Sequence, residues 1–354
     1  MTVLVEAIFN GLSNSSILIL AAIGLAITFG VMRVINMAHG EMLMLGAYTG
    51  YVVTNPNGWP ELINGVSRVL GVRELCAAIG IPYHVPPEGV ALGIYAAIPI
   101  AFLVVGLVGF LLETCLIRHL YDRPLDTLLA TWGVGLVLQQ ATRLVFQADL
   151  TPLHPPDELS GTWIVPLTSA TIPVFRLFII GFTILCLYLV YLWYFHTSFG
   201  LKIRAVTQNR SMAAALGIST RWVDSLTFAF GTGLAGVAGC IVGHLYNVKP
   251  DMGADYIVDA FMVVILGGMG HLPGTVLAGL IIGTGISIGE KLFNNALWPN
   301  VLTQWFPSWF PQFFPVWITE VNQTMAKVAM LLIVIGFIMI RPSGLIVTRE
   351  RVYD

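Results

Sequence analysis

A chain of 354 residues is long enough for two soluble domains, but with 56% hydrophobic and only 10% charged residues it has too little polar surface for an ordinary soluble protein. Its formal charge of −2, with the positive residues scattered, excludes the basic stripe that nucleic-acid binding requires. The composition is that of an all-α polytopic membrane protein, a single membrane-spanning domain over 1–354.

A helix needs about 20 apolar residues to cross the hydrocarbon core. Apolar runs at 8–31, 41–53, 90–116, 127–146, 174–195, 222–246, 257–270, 274–290 and 324–340 predict about nine spanning or partly spanning helices. The first run has neither a basic leader nor a small-residue cleavage site, so it reads as a retained span rather than a signal peptide. Lys and Arg collect on the cytoplasmic side. Of the 17 basic residues, ten (Arg33, Arg118, Arg123, Lys202, Arg204, Arg210, Arg221, Arg341, Arg349 and Arg351) fall on the side that an N-out, C-in arrangement places in the cytoplasm. Four fall in outer segments and three near outer span ends.

The second run is short. Gly40–Val53 gives roughly 21 Å of helix, too little to cross, so Val34–Glu41 is expected to sit below the interface as a break between helices. Broken helices often mark substrate paths, which makes Asn36, His39 and Glu41 candidates. The competing reading is that Asn36 caps the helix while His39 and Glu41 face water. Thr131, Gln139 and Asp259 are further polar side chains within spans, where charge is costly; interhelical hydrogen bonding is the alternative for them.

Three outer segments interrupt the pattern. Segment 54–89 has apolar residues at Leu62, Val66, Val69, Leu70 and Leu75, the spacing of an amphipathic surface helix. Segment 147–173 is acidic and rich in Pro and Thr, a short loop. Segment 291–323 contains WFPSWFPQFFPVW at 305–317, whose prolines forbid a regular helix and whose aromatics suit the membrane interface.

The longest inner loop, 198–220, is basic and predicts a helix of its own. Asn209 or Thr207 caps its start, Met212–Leu216 favours helix, and Gly217 stops it. Two turns of helix are marginal in water alone, so this piece needs a partner, either its own bundle or another chain.

No catalytic motif survives its context. GTGLAGVAG (231–239) contains GxGxxG and GISIG (285–289) matches GxSxG, but both lie in predicted spans without the strand each motif needs. Gly236, Gly239, Gly243, Gly279, Gly283 and Gly289 read instead as close helix packing. The seven histidines have no metal-ligand spacing, and Cys76, Cys115, Cys186 and Cys240 form no CxxC and read as small hydrophobes. The sequons at Asn14 and Asn322 edge hydrophobic runs and read as chance matches. No cofactor or metal is expected. No Walker A loop is present, so any ATP hydrolysis belongs to another subunit.

GLAITFGVMRVINMAHGEMLMLGAY, RAVTQNRSMAAALGIS, YIVDAFMVVILGGMGHLPGTV and the terminal RPSGL resemble the permease subunits of branched-chain amino acid type ABC importers, over most of the chain. Within that family HGEMLMLGAY, RPLDTLLATWG and RAVTQNR are most similar to the urea-type permease. The resemblance implies a multi-pass protein of the bacterial inner membrane importing urea. It implies as partners a second homologous permease, two cytoplasmic ATPases and a periplasmic binding protein. It makes 198–220 the coupling element seated in an ATPase cleft, with Asn209, Arg210, Ala214 and Gly217 at the motif's place and Arg204 beside them. Urea would need hydrogen-bonding groups such as Asn36, Glu41, Thr131 and Gln139. The second reading keeps the fold and imports branched-chain or other amino acids or short amides; a zwitterion would favour a carboxylate with a cation, and Arg143 with Asp259 are the pair the sequence offers. A passive urea channel is the third reading, and it leaves the coupling-like loop unexplained.

Overall fold

The computed structural model describes residues 2–32, 34–72, 91–121, 123–147, 153–164, 171–295, 315–341 and 344–346. In them lie twelve α-helices: α1 (Thr2–Met32), α2 (His39–Thr54), α3 (Gly58–Val69), α4 (Ile94–Cys115), α5 (Pro124–Phe146), α6 (Val174–His196), α7 (Ser198–Gln208), α8 (Arg210–Ala215), α9 (Thr220–Leu245), α10 (Met252–Gly267), α11 (Leu272–Asn295) and α12 (Pro315–Ile340). The nine predicted spans coincide with α1, α2, α4, α5, α6, α9, α10, α11 and α12.

Among the described residues five helical stretches are long and apolar enough to cross a bilayer by themselves: Glu6–Met32, Ile94–His119, Val174–His196, Thr220–Leu245 and Leu272–Glu290. By contrast α2 and α10 have 16 residues each, about 24 Å of helix against a hydrocarbon core of about 30 Å.

α1 and α9 form the axis of the bundle and are buried along most of their length. α4 packs on α9, α6 on α1, and α5 on α2 and α3, and together they turn Leu103, Leu107, Leu129, Val137, Leu185 and Leu189 outward. Lipid tails are as apolar as these side chains, so helix association depends on close packing rather than on the hydrophobic effect. The six glycines singled out above supply it. In α9, Gly236 meets Ala101 and Val105 of α4, while Gly239 meets the Leu43 backbone and Gly243 meets Ala47 of α2. In α11, Gly279 meets Ile19 and Gly283 meets Ser15 of α1, and Gly289 meets Ala326 of α12. The two motif-like glycine runs therefore lie inside helices and serve packing.

The outer segments hold more structure than expected. α3 is the surface helix of segment 54–89, shorter than its apolar spacing predicts; Leu75 falls among residues 73–90, outside the described residues, as does Cys76. Gly65 sits against the Val145 backbone of α5, which turns Trp59, Ile63, Val66 and Leu70 outward. Segment 147–173 contains a small hairpin, β1 (Thr162–Ile164) paired antiparallel with β2 (Thr171–Pro173), Trp163 opposite Ile172. Of the aromatic repeat, residues 305–314 lie outside the described residues. α12 starts at Pro315, nine residues before the predicted span, because the first helical turn has no use for the missing N–H. Asn14 is held by Ser287, its Nδ2 donating to Ser287 Oγ at 3.1 Å inside the bundle.

Candidate functional site

The break between α1 and α2 is where the candidate path residues meet. Val34–Asn36 have no regular structure and Met37–Ala38 form a turn before α2 begins. The break lies within the bundle, because His39 places Nε2 2.9 Å from the carbonyl oxygen of Ala21, in the middle of α1. A Cβ on Gly24 of α1 would lie 3.2 Å from the same ring. His39 thus anchors the start of α2 to α1. Asn36 Oδ1 accepts the N–H of Ala38 at 3.0 Å, which closes the turn before α2; Ala38 is the N-cap of α2 and no side chain caps the helix, so Asn36 does not play the capping role.

α5 covers the break from the other side. Met37 N–H donates to Thr131 Oγ1 at 3.1 Å, and Thr131 donates to the Leu128 carbonyl at 3.0 Å. One turn further, a Cβ on Gly135 would lie 3.4 Å from Glu41 Cγ; a Cβ on Gly253, in the first turn of α10, would lie 2.8 Å from Glu41 Cδ. Two glycines therefore leave the room that the Glu41 carboxyl occupies. Gln139 follows on the same face of α5 and is half-buried.

The first turns of α2 and α10 meet here, since Gly40 lies against the Gly253 backbone. Short helices that begin inside a membrane bundle present unpaired N–H groups and a partial positive charge. Glu41, in the first turn of α2, is the acid they favour. Around it Asn36 Nδ2, His39 Nδ1, Glu41 Oε2 and Tyr48 Oη are buried without a hydrogen-bond partner among the described residues. Buried polar atoms are nearly always paired, and these four have hydrogen-bonding capacity that the described residues leave unused.

Asp259 is not part of the group. Its carboxylate takes Lys327 Nζ of α12 at 3.0 Å, on a different face of α10 from Gly253. Asp259 thus pairs with Lys327 and not with Arg143, the partner the sequence offers it for a zwitterion. Tyr48, Gly135 and Gly253 were not among the candidates. Tyr48 had a readable signal, being two turns from Glu41 on one helix face; the glycines had none, because they act through tertiary contact.

The second candidate element is the 198–220 segment. It contains two helices rather than one. Thr197 caps α7, its hydroxyl accepting Gly200 N–H at 3.0 Å. Asn209 caps α8, its Oδ1 accepting Met212 N–H at 2.9 Å. Gly217, at φ +82°, ends α8 with Ile218 N–H on the Ala213 carbonyl (3.1 Å) and Gly217 N–H on the Ala214 carbonyl (3.0 Å), the Schellman arrangement. Ile203, Val206 and Ala213 pack with Val31, Ile117 and Val223 at the ends of α1, α4 and α9. The short helix thus rests on its own bundle, while Met212, Ala214, Leu216 and Gly217 stay exposed.

Arg210 belongs to the inward side. Its guanidinium pairs with Asp224, a fully buried carboxylate of α9, and lies over the Tyr121 ring at 5.1 Å. Tyr121 donates to Glu113 Oε1 at 2.8 Å; burial pushes its hydroxyl well above the usual phenol range and keeps the proton on. Glu113 Oε2 also takes Arg118 at 3.2 Å and the Ser225 hydroxyl, which itself accepts from Arg118 at 2.7 Å. A continuous polar network therefore joins α8 to the ends of α4 and α9. Arg204 reaches the Phe195 carbonyl at 3.4 Å and lies over the Phe195 ring at 5.4 Å.

Residues 7–340 match the family described as branched-chain amino acid transport system, permease component. The chain is 27% identical to the high-affinity branched-chain amino acid transport system permease protein BraD of Pseudomonas aeruginosa, covering 82% of this chain and 87% of the relative. It is 28% identical to the corresponding protein LivH of Escherichia coli, covering 78% of this chain and 83% of the relative. A shorter likeness, 33% identical over 95 residues, relates 25% of this chain to 30% of the ribose import permease protein RbsC of Bacillus subtilis. No solved structure matches the chain.

Proposed function

Because the chain belongs to the family of branched-chain amino acid transport system permease components, we propose that it is the membrane subunit of an ATP-driven importer whose cargo is a branched-chain or related amino acid. It works beside a second homologous permease, two cytoplasmic ATPases that dock on α8, and a periplasmic binding protein. It is a multi-pass inner-membrane protein, with the α7–α8 end in the cytoplasm.

The observation that supports the cargo is the buried Glu41 carboxyl, with one oxygen unpartnered among the described residues, facing Gly135 on the α5 face that carries Arg143 two turns further on. An amino acid offers an ammonium to Glu41 and a carboxylate to Arg143, with Asn36 and Tyr48 as neutral contacts between them. The relatives that match most of the chain are branched-chain amino acid transport permeases, which supports the same cargo. Urea is the second reading. It is favoured by the neutral donors Asn36 Nδ2 and Tyr48 Oη, and by the HGEMLMLGAY block that encloses the site.

The test is uptake of micromolar labelled leucine and labelled urea in cells with the gene, without it, and with Glu41→Gln. Leucine uptake is expected to vanish without the gene. Glu41→Gln is expected to reduce it at least about tenfold, since a hydrogen bond to a charged group is worth about 1.5–3 kcal/mol. Loss of urea uptake alone moves the cargo to urea. Uptake that survives depletion of ATP contradicts the importer reading and makes the chain a passive channel.

A further inference from the structure

The surface of the bundle carries an apolar groove of about 470 Å³ lined by Phe102, Leu107, Phe110, Trp193, Phe199 and Phe230, where α4, α6, α7 and α9 meet. Its walls are rings in contact: Trp193 stacks on Phe230 at 3.9 Å, Phe102 meets Phe230 edge-on at 5.6 Å, and Phe199 lies 5.5 Å from Trp193. The groove belongs to the α7–α8 half of the membrane. Trp193 is in the last turn of α6, Phe199 in the first turn of α7, and Trp222, in the first turn of α9, closes on Phe110 at 6.0 Å.

That end is rimmed by positive charge. Residues 186–223 contain four Lys or Arg residues and no Asp or Glu. Two of the four are engaged, Arg210 by Asp224 and Arg204 by Phe195. Lys202, one turn after Phe199, and Arg221, beside Trp222, are exposed and have no ion pair among the described residues. Trp at a membrane edge next to unpaired cations is the pattern of an interface that meets anionic headgroups.

We propose that this groove binds one anionic phospholipid of the cytoplasmic leaflet, with an acyl chain along the rings and the headgroup phosphate between Lys202 and Arg221. The charge at the rim of the groove favours a lipid over a protein partner. A rim of cations with no acid calls for an anionic amphiphile. The site rests only on the membrane placement of the chain and is independent of its cargo. Its position against α7 and α9, the helices flanking α8, puts a lipid beside the element that contacts the ATPases.

The assembled importer, purified in mild detergent, is exchanged into micelles holding equal phosphatidylglycerol and phosphatidylcholine, and bound lipid is counted by native mass spectrometry. One phosphatidylglycerol per chain is expected to be retained over phosphatidylcholine. Lys202→Gln with Arg221→Gln is expected to lower that preference about 25-fold, about fivefold for each cation removed. Leu107→Trp, which fills the groove, is expected to lower retention of both lipids in a complex of unchanged size. Equal retention of the two lipids, or a preference that survives loss of both cations, overturns the proposal. So does efficient crosslinking of Leu107→Cys to the second permease, because the groove is then covered by protein.

Discussion

Arg210→Glu is expected to cut the ratio of uptake to ATP turnover about 30-fold or more, and Asp224→Arg in the same chain is expected to restore much of it. Asp224 is fully buried, and its second oxygen, Oδ1, has no hydrogen-bond partner among the described residues. Arg210 is therefore the group that compensates this charge. Breaking a wholly buried pair costs about 3–5 kcal/mol; Arg210 is partly in water, which brings the figure to about 2–3 kcal/mol. The loss falls on the docking of α8 against α4 and α9, since Tyr121, Glu113, Arg118 and Ser225 link the pair to both helices. If α8 couples the chain to an ATPase as proposed, loosening it stops ATPase movement from reaching the spans, while the exposed face of Met212, Ala214 and Leu216 is left intact for docking. If Asp224→Arg fails to rescue and ATPase binding is lost instead, Arg210 acts on the partner chain and the network is only structural.

Gly239→Val is expected to remove most of the protein from the membrane, about tenfold or more, whereas Gly181→Val is expected to leave its amount unchanged. Both glycines lie inside long apolar helices, but only Gly239 belongs to a small-residue series, Gly236, Gly239 and Gly243, that reads as a packing face. In the fold a Cβ on Gly239 overlaps the carbonyl group of Leu43, so α2 has to shift away from α9. A Cβ on Gly181 meets nothing within 4 Å. Overpacking costs about 1–3 kcal/mol when side chains can adjust, and a backbone carbonyl adjusts least, so the upper end applies. Exposed substitutions without such contacts stay within about 0.5 kcal/mol. Membrane fractions quantified for the two variants decide it; equal amounts would mean that α2 and α9 are not packed as described.

The helices were legible because apolar runs of spanning length carry a strong signal, and the unusual shortness of the run after Gly40 announced the break. Caps were legible too: Asn209 and Gly217 act where their residue types predict. What escaped is tertiary. Asp259 reads as a path residue from depth alone, and only its Lys327 partner, distant in sequence, takes it out of the path. Arg210 reads as an outward coupling charge until Asp224 is seen beneath it. α7 was hidden because its apolar residues Ile203 and Val206 are few among basic and polar neighbours, and the hairpin because three-residue strands leave no periodicity.

The most direct test of the account is the accessibility of Gln139→Cys, in a chain whose native cysteines are replaced, to a membrane-impermeant thiol reagent in the ATPase-bound complex. Gln139 lies on the α5 face that carries Thr131 over the break and Gly135 over Glu41. The account predicts labelling from one side of the membrane without nucleotide, labelling from the other side when ATP is trapped, and protection in both states by saturating leucine. Labelling that ignores nucleotide and cargo alike would contradict a substrate path at the α1–α2 break.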